Sequence, residues 1–264
     1  MAMLSGSAAA AKPQTGFLDR SVVVAGVSYR FQVYVPVDYR PDRSWPVALF
    51  LHGSGERGED GSKQSQVGIG AAIRFNRDRF PMIVVMPQAR ENTRWNGAMA
   101  EMAMQALEQS IREFHGDRQR VYLTGLSMGG QGTWLLAASH PHTFAAIAPV
   151  CGFLLLKNDD DVLDPVADAA LLKQFPEALA ADPPAAFARR IGKLPVWIFH
   201  GEVDDVVPVE NARRLSVAMK AVDAEVRYNE YPGVNHGVWD HAYGEPDLVP
   251  WLLAHRLDSK PASK

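Results

Sequence analysis

Cysteine is nearly absent. Cys151 is the single one in 264 residues, so the chain can close no internal disulfide, and its thiols say nothing of its compartment. The apolar run Ile147-Ala148-Pro149-Val150-Cys151 predicts that this thiol is buried and inert. An excess of one charge is missing too: 27 basic side chains stand against 30 acidic ones, net −3, which gives no electrostatic ground for nucleic acid or an anionic membrane as partner. No apolar stretch is long enough to span a bilayer. No repeat or second compositional zone interrupts the chain, so residues 17–258 are expected to form one domain, with a monomer as the default state. Residues 1–13 lack a basic n-region and a full apolar h-region, which excludes an intact signal peptide. They read, within a flexible segment 1–16, as a cloning scar, a linker from an upstream domain or the remnant of a processed export signal.

What is present concentrates at Gly125-Leu126-Ser127-Met128-Gly129-Gly130, directly after the apolar run 121–124 and before a helical pattern closed by His140-Pro141. A serine between two glycines at a strand-to-helix turn is the sequence form of a nucleophile elbow, where the hydroxyl must stand clear and neighbouring backbones must pass closely. A glycine-rich turn with a locally bonded serine is the plain alternative. The strand and the helix around the motif favour the elbow.

The rest of the chain supplies a matching frame. Alternating segments around Gly26 predict an antiparallel hairpin near the N-terminus. Short apolar runs at 45–51, 82–86, 121–124, 145–150 and 195–199 predict parallel strands covered on both faces, with a last strand at 225–231. Helical patterns fall at 97–115, 128–139, 210–221 and 247–257. The fold expected is α/β: a mainly parallel central sheet with an antiparallel N-terminal hairpin and helices on both faces. Residues 153–194 leave this rhythm and read as a cap over a site or as a surface insertion without a role. Within them Asp159-Asp160-Asp161 is a solvated charge run, and no metal is expected.

Two further groups complete a nucleophilic serine site. The strand at 195–199 runs into His200-Gly201-Glu202-Val203-Asp204-Asp205, whose acidic residues emerge at the carboxyl edge of the sheet, and Asp204 or Asp205 can orient a histidine there. The strand at 225–231 leads into Pro232-Gly233-Val234-Asn235-His236, which makes His236 the base, whereas His200, inside the acid loop, reads as structural. A serine hydroxyl needs such a base to attack a carbonyl carbon, and the oxyanion that follows needs fixed N–H donors. Met128, opening the helix after Ser127, offers one, and Ser54 in the early loop Leu51-His52-Gly53-Ser54-Gly55-Glu56 offers the other. Trp95, after the strand at 82–86, is a candidate for the substrate-pocket wall, with core packing as the alternative.

These residues resemble a known family, the esterase branch of the α/β-hydrolases often labelled predicted peptidase, related to polyhydroxybutyrate depolymerase-like and feruloyl esterases. The likeness rests on Leu51-His52-Gly53-Ser54-Gly55-Glu56-Arg57-Gly58, on Tyr122 to Gly130, on the acid loop from His200 to Pro208 and on the His236 loop ending Trp239-Asp240-His241-Ala242-Tyr243. It implies a carboxylesterase working through an acyl-serine on small to moderate ester substrates, with no cofactor. It also implies Ser127, Asp204 and His236 as triad, Asp204 in preference to Asp205, and the amides of Ser54 and Met128 as oxyanion hole. One departure stands out: similar chains carry glycine before the catalytic histidine, where this one has Asn235. Because some relatives carry an immunoglobulin-like domain upstream, the resemblance favours export, with a cytoplasmic location left open. A serine peptidase or amidase with the same triad and a catalytically silent scaffold are the competing readings.

Overall fold

The computed structural model describes residues 14–154 and 169–258. The alternating segments fold as the expected hairpin: β1 (Gly16–Val24) and β2 (Val27–Val35) pair antiparallel, Val24 opposite Val27, through a two-residue turn at Ala25 and Gly26. The apolar runs become β3 (Trp45–Leu51), β4 (Ile83–Pro87), β5 (Gly116–Leu126), β6 (Ala146–Val150), β7 (Val196–Gly201) and β8 (Val226–Tyr231). All eight strands join one sheet in the order β1-β2-β4-β3-β5-β6-β7-β8. The pairs β1/β2 and β2/β4 are antiparallel and the rest are parallel, which bears out the expected mainly parallel sheet. β5 starts at Gly116 because, beyond an irregular register, Gly116 pairs with Trp45; the polar stretch 117–120 conceals that extension in the sequence.

Period-two alternation assigns each central strand to two cores. Val47, Leu49 and Leu51 of β3 face one side with α2 (Gly97–Glu113) and α3 (Met128–Ser139), while Ala48 and Phe50 face the other. That second side is closed by α1 (Ile69–Phe75), α7 (Trp239–Gly244) and α8 (Leu248–Ala254), through Ile69, Ile73, Tyr243 and Trp251. Large side chains such as Trp134 and Phe199 are fully buried in these layers, and each contributes about 1.5–3 kcal/mol. The helices α1 and α7 have no counterpart in the sequence reading, since six or seven residues are too few for a 3.6-residue period to repeat.

Residues 1–13 and 155–168, including the acidic run 159–161, lie outside the described residues. The rest of the 153–194 excursion forms α4 (Ala169–Gln174) and α5 (Pro183–Ile191), with α6 (Glu210–Lys220) next in the chain. Phe175 stacks on Phe187, the Arg190 Nε donates to the Ala138 carbonyl, and Gln174 reaches Ser139. These contacts dock α4 and α5 on the C-terminal end of α3, the end remote from Ser127.

The parallel strands end level with one another. Leu51 pairs with Gly125, Leu126 with Val150, Val150 with Phe199 and Gly201 with Tyr231, so the loops after β3, β5, β6, β7 and β8 leave from one edge. His52 anchors the first of them. Its fully buried ring accepts the Ala89 N–H at Nε2 (2.9 Å), so Nδ1 holds the proton and donates to the Gly53 carbonyl at 2.6 Å. Burial pushes its pKa down to about 4, against the upward pull of the Gly53 bond and with the Arg57 charge adding to the fall. An unfolded histidine titrates near ~6.5, so below that pH the unfolded chain binds a proton that the folded chain refuses. Stability is complete above that value and falls as pH drops toward about 4, by about 3 kcal/mol from this group. Urea unfolding of the native chain and His52→Asn across this window should show a steeper pH dependence in the native chain, by close to one proton. Equal slopes would remove His52 from the account.

Candidate active site

The strand β5 hands over to α3 at Ser127, which takes φ 53° and ψ −117°, a conformation that non-glycine residues rarely adopt. The strain is held by tight surroundings. A Cβ on Gly129 would lie 1.9 Å from the Leu51 carbonyl oxygen, and one on Gly125 would lie 2.4 Å from the Gly129 oxygen. The Ser127 N–H donates to the Val150 carbonyl at 2.9 Å, and the Ser127 carbonyl accepts from Gln131 at 3.0 Å. The elbow is therefore clamped between β3 and β6.

The loops after β7 and β8 converge on this serine. His236 Nε2 lies 2.9 Å from Ser127 Oγ, and His236 Nδ1 lies 2.8 Å from Oδ2 and 3.0 Å from Oδ1 of Asp204. The Asp204 side chain is fully buried, and that of His236 is partly exposed, at 16%. Asp205, the alternative acid, is exposed. The acid loop folds around its own carboxylate, with the N–H groups of Val206 and Val207 donating to Oδ1 at 2.9 and 2.8 Å. Burial works against the charge on Asp204, but bonds from His200, His236 and these two amides outweigh it and hold the carboxyl well below the usual carboxylate range.

Sequence reasoning assigned His200 a structural place, yet its Nε2 lies 3.2 Å from Asp204 Oδ2. The signal was the His-x-x-x-Asp spacing across the end of β7. Cys151 follows β6 and is buried as expected, its thiol pushed up chiefly by burial. With Asp204 and His236 it makes the one group among the described residues whose donor atoms, within 4.8 Å of one another, have metal-ligand spacing. His236 and Asp204 already bond to each other there.

The early loop lies against the same edge. Ser54 opens a 3-10 turn (Ser54–Glu56) and Met128 opens α3, so both amides occupy first helical positions, where an N–H has no acceptor inside its own helix. Arg57 ties this loop down, donating from Nε to the Thr93 carbonyl at 2.7 Å and from Nη2 to the Met128 sulfur at 3.0 Å. The expectation of Trp95 on a pocket wall is corrected by its position. Its indole is 1% exposed, its N–H donates to the His52 carbonyl at 2.9 Å, and Gly132 packs on its Cβ. Trp95 props the early loop from beneath, because a buried indole needs an acceptor and the His52 carbonyl is the one in reach.

Comparison with known proteins matches residues 90–254 to the prolyl oligopeptidase family. An uncharacterized secreted protein of Arthroderma benhamiae is 26% identical over 201 residues, 72% of this chain and 21% of that protein. The rat (Rattus norvegicus) acylamino-acid-releasing enzyme is 29% identical over 167 residues, 57% of this chain and 22% of that enzyme. A thermostable esterase of known crystal structure superposes with a TM-score of 0.74 at 29% identity, over 91% of this chain and 63% of its own. The chain thus spans about a fifth of the length of the first curated relatives it matches. The α/β-hydrolase fold and the esterase resemblance are borne out by these matches. With more than half of its length matched, the chain belongs to the prolyl oligopeptidase family and carries the fold of the α/β-hydrolase esterases.

Proposed function

We propose that this chain is a serine carboxylesterase acting on small to moderate ester substrates, with Ser127, His236 and Asp204 as its triad. The observation that carries the reading is the unbroken line of hydrogen bonds from Ser127 Oγ through both His236 nitrogens to Asp204, on three loops of one sheet edge. In this reading His236 Nε2 takes the Ser127 proton as Oγ attacks the carbonyl carbon, and Asp204 stabilises the imidazolium that results. The amides of Ser54 and Met128 meet the developing oxyanion. His236 then returns the proton to the departing alcohol, and a water activated by the same imidazole releases the acid from the acyl-serine.

A peptidase or amidase reading draws on one specific observation, the likeness to the rat acylamino-acid-releasing enzyme and the family it shares. The same triad would serve, and the difference lies in protonating a poorer leaving group. A silent scaffold is disfavoured, since every member of the triad stands at hydrogen-bond distance.

Hydrolysis of p-nitrophenyl esters from acetate to palmitate, beside a panel of peptide anilides, separates these readings. Ester turnover is expected, falling by roughly 10⁴–10⁶-fold in Ser127→Ala with an unchanged melting curve. Anilide turnover in place of ester turnover would move the chain to the peptidases, and activity that survives Ser127→Ala would end both readings. Ser54→Pro tests the early-loop donor. Proline fits a first helical position, and Gly53 before it is already extended (φ −77°, ψ −175°), so the substitution removes little beyond the N–H. It should lower kcat by about 10²–10³-fold while Ser54→Ala stays near native; an active Ser54→Pro would put the donor elsewhere. Because Asp204 stays ionised on acidification, kcat/KM should fall with the slope of one proton from neutral pH down to roughly pH 5, above the range near 4 in which His52 titrates. A two-proton limb would contradict the role given to Asp204.

A further inference from the structure

The carboxylate of Asp204 is held unequally at its two oxygens. Oδ1 accepts from the Val206 and Val207 amides and faces His236 Nδ1 at 3.0 Å. Oδ2 has two partners, and both are imidazoles: His236 Nδ1 at 2.8 Å and His200 Nε2 at 3.2 Å. His200 is fully buried, and its Nε2 also lies 2.9 Å from the Val207 carbonyl. A carboxylate and a carbonyl only accept, so Nε2 must carry the proton; it bonds the Val207 carbonyl, and Asp204 Oδ2 lies beside the same N–H at ion-pair distance. The other ring nitrogen, Nδ1, is buried without a partner among the described residues, an arrangement that costs stability. A ring placed only to fill the core would not need to leave a nitrogen orphaned while holding the other beside the acid.

The charged and titratable neighbours are few. Across the β7/β8 pairing His200 stands beside Glu230, which is engaged by Arg213 (2.6 and 2.9 Å) and by the Tyr228 hydroxyl at 2.5 Å. From the end of β6, Cys151 faces Asp204 and His236 with a thiol kept protonated by burial. Neither group offers Oδ2 a competing strong donor.

We propose that His200 is a positioning residue of this site: its Nε2–H fixes the rotation of the Asp204 carboxylate so that Oδ2 faces His236, and it draws off part of the charge with which that carboxylate holds the imidazolium. The proposal rests on the triad reading above. Without His200, Oδ1 remains tied by two amides but the group is free to turn about that anchor. The charge left on Oδ2 then acts on His236 alone, which favours the protonated base and moves the acid limb of the pH profile to higher pH.

His200→Phe and His200→Gln separate this role from packing. Phenylalanine fills the site without a donor, whereas the glutamine amide nitrogen takes the place of Nε2. With the best p-nitrophenyl ester, His200→Phe should lower kcat about 10-fold or more, leave KM within about 2-fold and raise the midpoint of the acid limb. His200→Gln should recover most of kcat and return the limb. Native kcat and an unmoved limb in His200→Phe would overturn the proposal, as would equal loss in both variants with the limb unmoved. If His200→Phe does not fold, His200→Asn, whose shorter amide stops short of Oδ2, replaces it under the same expectations. The proton NMR signal of His236 Nδ1–H reads the bond to Asp204 without turnover, and it should shift in His200→Phe and return in His200→Gln. Ser127→Ala assayed alongside reports separately on the parent reading, because retained turnover there would sink the triad while leaving the NMR result to judge His200.

Discussion

At Ser127 three backbones must occupy nearly the same space, and the rest of the site depends on their doing so. The end of β3, the end of β5 and the first turn of α3 approach so closely that a single Cβ on Gly129 would fall within bonding range of the Leu51 oxygen. That approach holds Ser127 at φ 53° and presents Oγ at the sheet edge. It also fixes the first turn of α3 against the early loop, where the Met128 and Ser54 amides stand. A serine on an ordinary helix entry would keep its hydroxyl available as a cap for its own helix. Here it makes no side-chain cap bond, and Oγ is bonded to His236 instead.

The second requirement is a charge kept where water does not reach. Isolating a carboxylate in the interior costs several kcal/mol unless donors surround it. Asp204 meets this by local means, two amides from its own loop and two imidazoles. The amides fix the position of the acid and the imidazoles fix its direction. Because the loop wraps its own side chain, Asp204 and Asp205 are not interchangeable, although the sequence alone offers both as candidates.

What was legible in the sequence follows from how locally it is determined. Buried parallel strands announce themselves as unbroken apolar runs, and α3 was readable because a glycine-rich turn opens it and His140-Pro141 closes it. β5 was read too short because Asp117 to Arg120 is polar and its pairing is with a distant strand. Strand-end position pointed to Ser127, His236 and the acid loop, which the structure brings within hydrogen-bond distance of one another. Trp95 was not legible, since its place depends on a carbonyl from another loop, and His200 showed only as a His-x-x-x-Asp spacing, because the contact arises when the acid turns back toward its own strand. No periodicity encodes such contacts.

Acid acts on this architecture through more than one proton. His52 is kept unprotonated by burial, and its stabilising contribution is lost as pH falls from ~6.5 toward about 4. Asp204, with its folded value depressed, keeps its contribution above ~3.9 and loses it only in stronger acid. His52 is also the residue that joins Gly53, Ala89 and Trp95 beneath Ser54. Mild acid therefore weakens the support of the early loop that carries the Ser54 amide while Asp204 is still charged.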